Sequence, residues 1–230
     1  MNRCENHVEH YRNDAEEFDY FTNQDPTDKA YEKLFRKFLL HLTGKPRKVL
    51  DIGSGSGWTS FIPHDEILFV DLSAKNLRIL KSDSSTPVLA DAQHLPFKDG
   101  SQEFVIASEI MEHLNDPEMA AREIWRVLKP GGSAIISTPY KEKLRYTLCI
   151  HCNRVTPWNA HLHSFDKEGL LSLFPEQTQK KAYIFGSKLL VLGRAPRLFM
   201  NLPLWLWRAF DLTLVKLTDK AQHLVILVQK

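Results

Sequence analysis

The sequence is poor in cysteine, with three in 230 residues: Cys4, Cys149 and Cys152. An odd, sparse set makes no disulfide framework, and paired thiols of this kind fit a reducing compartment and a metal better than a crosslink. No export leader is legible either, because "MNRCENHVEHYRNDAEEFDYF" is polar and acidic, without an apolar run, a small-residue cleavage site or an Arg/Ser-rich transit pattern. The expected location is cytoplasmic. Uninterrupted apolar runs of about 18 residues, the length a membrane span needs, are missing as well. The most apolar stretch, "RLFMNLPLWLWRAFDLTLVKL", is broken by Pro203, Arg208, Asp211 and Lys216. Tandem repeats and low-complexity tracts are absent.

What is present is an ordinary globular composition, 43% hydrophobic and 25% charged, enough for one substantial core. A formal net charge of +2 hides an asymmetry: the first thirty residues carry eight acids and three bases, whereas residues 180–230 carry nine Lys/Arg and two Asp. The basic end suits an anionic partner or a solvated helix face equally well. In "TDKAYEKLFRKFLLHLT" (27–43), Tyr31, Leu34, Phe35, Phe38, Leu39 and Leu42 form the stripe of an amphipathic helix, with Thr27 as its expected cap. Then strands alternate with helical stretches. "KVLDIG", "EILFVDLS", "TPVLAD", "EFVIASE" and "SAIIST" read as strands, with "AKNLRILKS" and "PEMAAREIWRVLK" as helices and "PGG" ending the latter. That rhythm predicts parallel βαβ units and an open α/β sheet that binds ligands at the carboxyl ends of its strands. It breaks at residue 139 and resumes with a helix at "KEGLLSLF", a strand at "KAYIFG" and a terminal strand at "HLVILVQK".

"VLDIGSGSGW" places Asp51 at the end of the first strand, followed by Gly53, Gly55 and Gly57 on alternate positions. Such a turn lets the backbone approach a ligand closely. Asp71 follows twenty residues after Asp51, at the tip of the second strand, where a carboxylate can accept from ribose hydroxyls; Asp91 ends the third, in reach of an adenine amino group. The spacing G-x-G-x-G differs from the dinucleotide G-x-G-x-x-G and favours a nucleoside joined to an amino acid. With "FVDLS", "ADAQHLPFKDGSQEFVIASEIMEHL" and "RVLKPGG" in order over residues 48–138, the chain resembles the class I S-adenosylmethionine-dependent methyltransferases, especially the type 11 subgroup that includes ubiquinone and menaquinone enzymes.

The resemblance implies a Rossmann-like, seven-stranded, mostly parallel sheet with helices on both faces and an antiparallel last strand between strands five and six. It implies that Asp51, Gly53, Ser54 and Gly55 hold the methionine end of S-adenosyl-L-methionine, Asp71 and Leu72 the ribose, Asp91 and Ala92 the adenine, with Ser108 beside the sulfonium. The short link "GWTSFIPHDE" departs from the family pattern and predicts a stunted first crossover helix.

Where the fourth strand ends, Glu109, Glu112 and His113 in "SEIMEHL" are candidate general bases; the alternative is that Glu112 and His113 merely cap and pack the next turn. The spacing E-x-x-E-H also resembles the magnesium motif of small-RNA 2′-O-methyltransferases and of a ubiquinone-pathway O-methyltransferase, completed by a later His. Further on, "CIHCNRVTPWNAHLH" offers Cys149, Cys152, His161 and His163, four ligands of the kind that close a structural zinc site. Its spacing is not that of a zinc finger, and no DNA binding is expected. A substrate-facing His or incidental residues are the other readings of this cluster. Tyr140, Tyr146 and Trp158 are expected around an acceptor, and Tyr11 over the cofactor.

The organisation expected is a single methyltransferase domain: a helical cap over 1–46, the cofactor core over 47–138, the Cys/His insertion over 139–165, and a C-terminal part over 166–230 with an apolar helix at 197–217. The expected activity is methyl transfer from S-adenosyl-L-methionine to a small-molecule or lipid-like acceptor, with structural Zn²⁺ and peripheral membrane contact through 197–217. The alternatives are a metal-dependent RNA 2′-O-methyltransferase and a non-catalytic cofactor-binding module.

Overall fold

The computed structural model describes residues 25–148, 155–176 and 178–230. In chain order the elements are α1 (Pro26–Thr43), β1 (Lys48–Ile52), β2 (Glu66–Asp71), α2 (Ala74–Ile79), β3 (Ser85–Leu89), β4 (Gln102–Ser108), α3 (Pro117–Val127) and β5 (Leu128–Pro139). They continue with β6 (Tyr146–Leu148), β7 (Val155–Pro157), α4 (Lys167–Ser172), β8 (Gln179–Ser187), α5 (Lys188–Leu192), α6 (Pro196–Phe199), α7 (Leu204–Thr218) and β9 (Ala221–Gln229). Seven strands form one sheet in the order β3-β2-β1-β4-β5-β9-β8. The pairs from β3 to β5 are parallel, and β9 runs antiparallel between β5 and β8. β6 and β7 make a separate two-stranded hairpin.

The central strands are apolar on both faces because both faces are covered. Alternation along each strand divides the core in two. Leu50, Val105 and Ile136 join Ala121 and Ile124 of α3 on one side. Val49, Ile106 and Ile135 join Leu34 and Phe38 of α1 and Trp207 of α7 on the other.

Local departures from the sequence reading have local causes. α1 is capped not by Thr27 but by Asp25, whose carboxylate accepts from the Thr27 amide at 2.5 Å, with Pro26 at the first helical position. α3 ends at Val127, before "PGG", and β5 begins at once; a register shift between Gln102 and Phe104 absorbs the extra residues. The link after β1 holds only a 3-10 turn, Trp58–Phe61, which is the stunted crossover the sequence predicts.

The apolar segment 197–217 is not one helix. Pro203 starts α7 afresh after the short α6, and the two pack through Phe199 against Trp207 and Phe210. Of the charges that interrupt its sequence, Asp211 and Arg208 turn inward while Lys216 stays exposed. Asp211 is fully buried and accepts from the Ser187 amide at 2.5 Å, the Gly186 amide at 3.2 Å and Arg208 Nη1 at 2.6 Å. Gly186 has φ +83°, and a side chain there would collide with Tyr31, so the end of β8 is pinned between α1 and α7. Removing Asp211 would strand two amides and a guanidinium. Asp211→Ala should therefore cost about 3 kcal/mol, lowering the melting temperature by roughly 6–12 °C, measurable by calorimetry.

Candidate functional site

Parallel strands leave their carboxyl ends on one edge, so the segments that follow β1, β2, β3 and β4 meet there. The turn after β1 closes onto β2: the amides of Gly53 and Ser54 both donate to the Val70 carbonyl, at 2.8 and 3.0 Å. Gly53 has φ +71°, and a Cβ there would strike the side chain of Ile110, which follows β4. Only glycine lets the two segments approach so closely.

Between them opens a cavity of ≈ 550 Å³, its open mouth included, lined by Gly53, Asp71, Leu72, Asp91, Ala92 and His113 among others. Asp71 is held rigidly, its two oxygens accepting from the Gly55 amide at 2.8 Å and the Ser73 amide at 2.7 Å. Burial raises its pKa, and these amide bonds work against the shift. Four of the residues expected from the sequence to hold a cofactor stand outside this lining. Gly55 reaches it only through Asp71, Ser54 is buried, and Ser108 Oγ lies 2.8 Å from Ser137 Oγ. Asp51 is buried and accepts from the Thr59 hydroxyl; burial pushes its carboxyl up to about 7.

A second group of ionisable residues follows β4. Glu109 takes an unusual φ of +54°, a strained conformation for a non-glycine residue. Ser137 donates to its Oε1 at 2.8 Å, and His223 Nε2 lies 3.5 Å from its Oε2. Tyr31 Oη approaches the other nitrogen of His223, Nδ1, at 2.6 Å. A tyrosyl hydroxyl donating to Nδ1 leaves the proton on Nε2, facing Glu109. Burial, reinforced by Lys188, lowers His223 to about 4, so the ring is neutral; burial raises Glu109 to about 7, although 33% of its side chain stays exposed. Neither Tyr31 nor His223 was singled out as functional by the sequence reading. Tyr31 reads as one rung of an apolar helix stripe and His223 as the start of a strand.

Glu112 is 1% exposed, and neither carboxylate oxygen has a hydrogen-bond partner among the described residues. Burial first, then the charge of Glu109, raises its pKa well above the carboxylate range. Beside it, His113 Nδ1 lies 3.2 Å from the Ala160 carbonyl, while His161 Nδ1 pairs with the Glu142 carboxylate. Ligand-type atoms of Glu112, His113 and His161 lie within 4.8 Å of one another. His163 instead sets Nε2 2.8 Å from the Leu114 carbonyl. The four-ligand zinc reading depends on Cys149 and Cys152, which lie outside the described residues, as do Cys4 and Tyr11. Its two histidines enter separate partnerships. Of the expected acceptor aromatics, Tyr140 is buried and donates to Asp219 at 2.8 Å, whereas Tyr146 and Trp158 are exposed on and beside the β6–β7 hairpin.

Sheet order, the inserted antiparallel β9 and the glycine turn over an acid-lined cavity define the class I methyltransferase fold. Residues 50–136 match the family model described as a methyltransferase domain, Methyltransf_11, and together with the sheet this match makes the chain similar to the class I S-adenosylmethionine-dependent methyltransferases. It is 32% identical over 104 residues to a malonyl-[acyl-carrier protein] O-methyltransferase of Hahella chejuensis, covering 41% of this chain and 37% of that one. It is 27% identical over 188 residues to a demethylmenaquinone methyltransferase of Chlamydia trachomatis, covering 73% and 82%. Among solved structures, an S-adenosylmethionine-dependent methyltransferase from Mesorhizobium loti shares the fold at a TM-score of 0.59 and 18% identity, over 89% of this chain and 100% of that one. The chain thus spans well under two thirds of the first curated relatives it matches, 37% and 39% of their lengths.

Asp51 yields a test that needs no acceptor. Its folded pKa of about 7 lies above the unfolded value of 3.8, so the folded state holds the extra proton between them. That contribution to stability is present at low pH and is lost as pH rises toward and through 7, by about 1.4 kcal/mol per pH unit at most. In protein without ligand, Asp51→Asn should flatten the fall in melting temperature between about pH 5 and pH 8 by roughly one proton's worth. An unchanged slope would mean that Asp51 keeps an ordinary carboxyl pKa.

Proposed function

We propose that the protein is a methyltransferase that moves the methyl group of S-adenosyl-L-methionine to a small-molecule, lipid-like acceptor. The observation that carries this reading is the cavity closed by Gly53 and Ile110 and walled by Asp71 and Asp91. Its chemistry fits the cofactor: two acid side chains face a cationic ligand, and apolar walls at Leu72 and Ala92 suit a flat base. Asp71 would take the ribose hydroxyls, Asp91 and Ala92 the adenine, and the turn from Gly53 to Gly55 the methionine end. Bound there, the cofactor supplies a methyl group already activated on a sulfonium.

The chain's own task is to align an acceptor, keep water out and, for a hydroxyl acceptor, take up a proton. Glu109 is suited to the last, because a carboxyl near 7 is part ionised at neutral pH and regains its proton readily. His223 Nε2 stands 3.5 Å from Glu109 Oε2, where a proton on that nitrogen would steady the carboxylate, and a Tyr31 hydroxyl donating to Nδ1 would favour that tautomer. The named relatives methylate malonyl-[acyl-carrier protein] and demethylmenaquinone, which supports a small or lipid-like acceptor for this chain.

Titration calorimetry with S-adenosyl-L-methionine tests the reading. One equivalent should bind, and both Asp71→Asn and Gly53→Ala should weaken binding about tenfold or more, through lost ribose contacts and a blocked cleft respectively. No binding to the unaltered protein would sink the proposal.

A second reading, metal-assisted methylation of a hydroxyl such as the RNA ribose 2′-OH, is favoured by one observation: the grouping of Glu112, His113 and His161 around a buried carboxylate without a partner among the described residues. The Glu142 carboxylate behind His161 would direct the other ring nitrogen toward such a centre. Labelled-methyl assays on RNA and on lipid extracts, with magnesium or a chelator, separate the two. Label entering RNA only with magnesium, and lost by at least about a hundredfold in Glu112→Gln, would establish the metal reading. Chelator-resistant label in the lipid fraction would establish the first.

A further inference from the structure

The three helices between β8 and β9 present an unusual outer surface. Inward, α7 buries Trp207, Asp211 and Val215 against the sheet. Outward, where a helix facing water ordinarily carries charge, the side chains are apolar. Leu192 is 82% exposed, Leu198 75%, Trp205 69% and Leu217 76%, and Phe210 and Leu212 are exposed with them. On α7, Trp205, Leu212 and Lys216 recur at helical spacing and so share one face. Phe210 packs edge-to-face on Phe199, which joins the surfaces of α6 and α7. An exposed apolar surface of this kind marks an interaction site.

The charges at its rim are predominantly positive. The single acid between residues 188 and 218 is Asp211, which is fully buried against Arg208. Arg194, Arg197, Lys216 and the adjoining Lys220 are exposed. Arg197 reaches Asp25 at 3.5 Å, outside the segment. Apolar side chains, an exposed tryptophan and a rim in which Arg194, Arg197, Lys216 and Lys220 outnumber the exposed Asp219, itself paired with Lys141, are complementary to the headgroup region of an anionic bilayer. A second copy is a poorer occupant, since a two-fold interface would set the same cations against each other. Among the described residues no helix is long and apolar enough to cross a membrane, so the fit is to its surface.

We propose that α5, α6 and α7 form a docking surface for an anionic lipid bilayer, with Leu192, Leu198, Trp205 and Leu217 entering the headgroup–acyl boundary and Arg194, Lys216 and Lys220 facing lipid phosphates. Docking is independent of the methyl-transfer chemistry, and its test leaves that chemistry alone. The full chain is sedimented with phosphatidylcholine vesicles and with equimolar phosphatidylcholine–phosphatidylglycerol vesicles. It should pellet with the anionic vesicles, be released as salt is raised, and stay largely in solution with the neutral ones. L198E/W205E and, separately, R194E/K216E should each weaken vesicle binding by about tenfold or more. Their thermal unfolding and S-adenosyl-L-methionine binding should be unchanged, because the altered side chains face outward. No binding to anionic vesicles, or equal binding by the variants, would overturn the proposal. So would a dimer, seen by sedimentation velocity, that the same substitutions dissociate.

Discussion

The antiparallel strand β9, hydrogen-bonded on both sides, is the constraint on which the site's geometry rests. Its register sets His223 opposite Pro139 of β5 on one side and Phe185 of β8 on the other. A strand paired along both edges cannot slip without turning its apolar face to water. The ring of His223 is therefore delivered to one place, stacked on Phe35 at 4.5 Å, bonded to Tyr31 and aimed at Glu109. The parallel half of the sheet supplies the complementary constraint, gathering Gly53, Asp71, Asp91 and Glu109 on one edge. The cavity and the Glu109–His223–Tyr31 group meet at the end of β4 because both are properties of the same sheet.

That edge concentrates acidic groups in a protein whose formal net charge is +2. Asp51, Asp71, Glu109 and Glu112 all have pKa values raised, with burial as the first cause in each. Three of them have donors that offset part of the desolvation: Thr59 for Asp51, the Gly55 and Ser73 amides for Asp71, and Ser137 for Glu109. Glu112 has none among the described residues. A set of acids under this strain favours cationic ligands, since each positive charge brought to the edge lowers the cost of ionising all of them. The same principle serves a sulfonium, an ammonium or a metal ion, so electrostatics alone does not choose among them. Geometry does, by placing Asp71 on the cavity and Glu112 behind it.

Part of the lining of the cavity at the carboxyl edge was legible in the sequence, whereas Asp51, Ser54, Gly55 and Ser108 were expected there and stand outside it. Gly53, Asp71 and Asp91 each sit at a strand end, and strand ends are where alternating apolar runs and glycine punctuation are easiest to read. The short crossover was also legible from the length of its link. The cap of α1 was not, because Asp25 and Thr27 are both good caps and only the path of Pro26 decides between them. The helix expected at 197–217 merged two, since the apolar run continues through Pro203 and hides the break. Tyr31 and His223 escaped notice for a different reason: they lie 192 residues apart, and only the pairing of β9 with β8 brings them together. His161 drew attention through cysteines close to it in sequence, whereas its partners in space are His113, Glu112 and Glu142.

The tether of the insertion to the post-β4 turn bears on how an acceptor would be received. The Glu112 carbonyl accepts from the amides of Leu162 and His163, at 2.7 and 3.1 Å, while His163 returns a bond to the Leu114 carbonyl. These bonds fasten Leu162 and His163 directly to the turn that carries Glu112 and His113. Because the carbonyl of Glu112 is committed to the insertion while its side chain is buried beside His161, displacement of one would disturb the other. The segment least regular in sequence is thus tied through backbone hydrogen bonds to the turn whose His113 lines the cavity, so the two move as one piece.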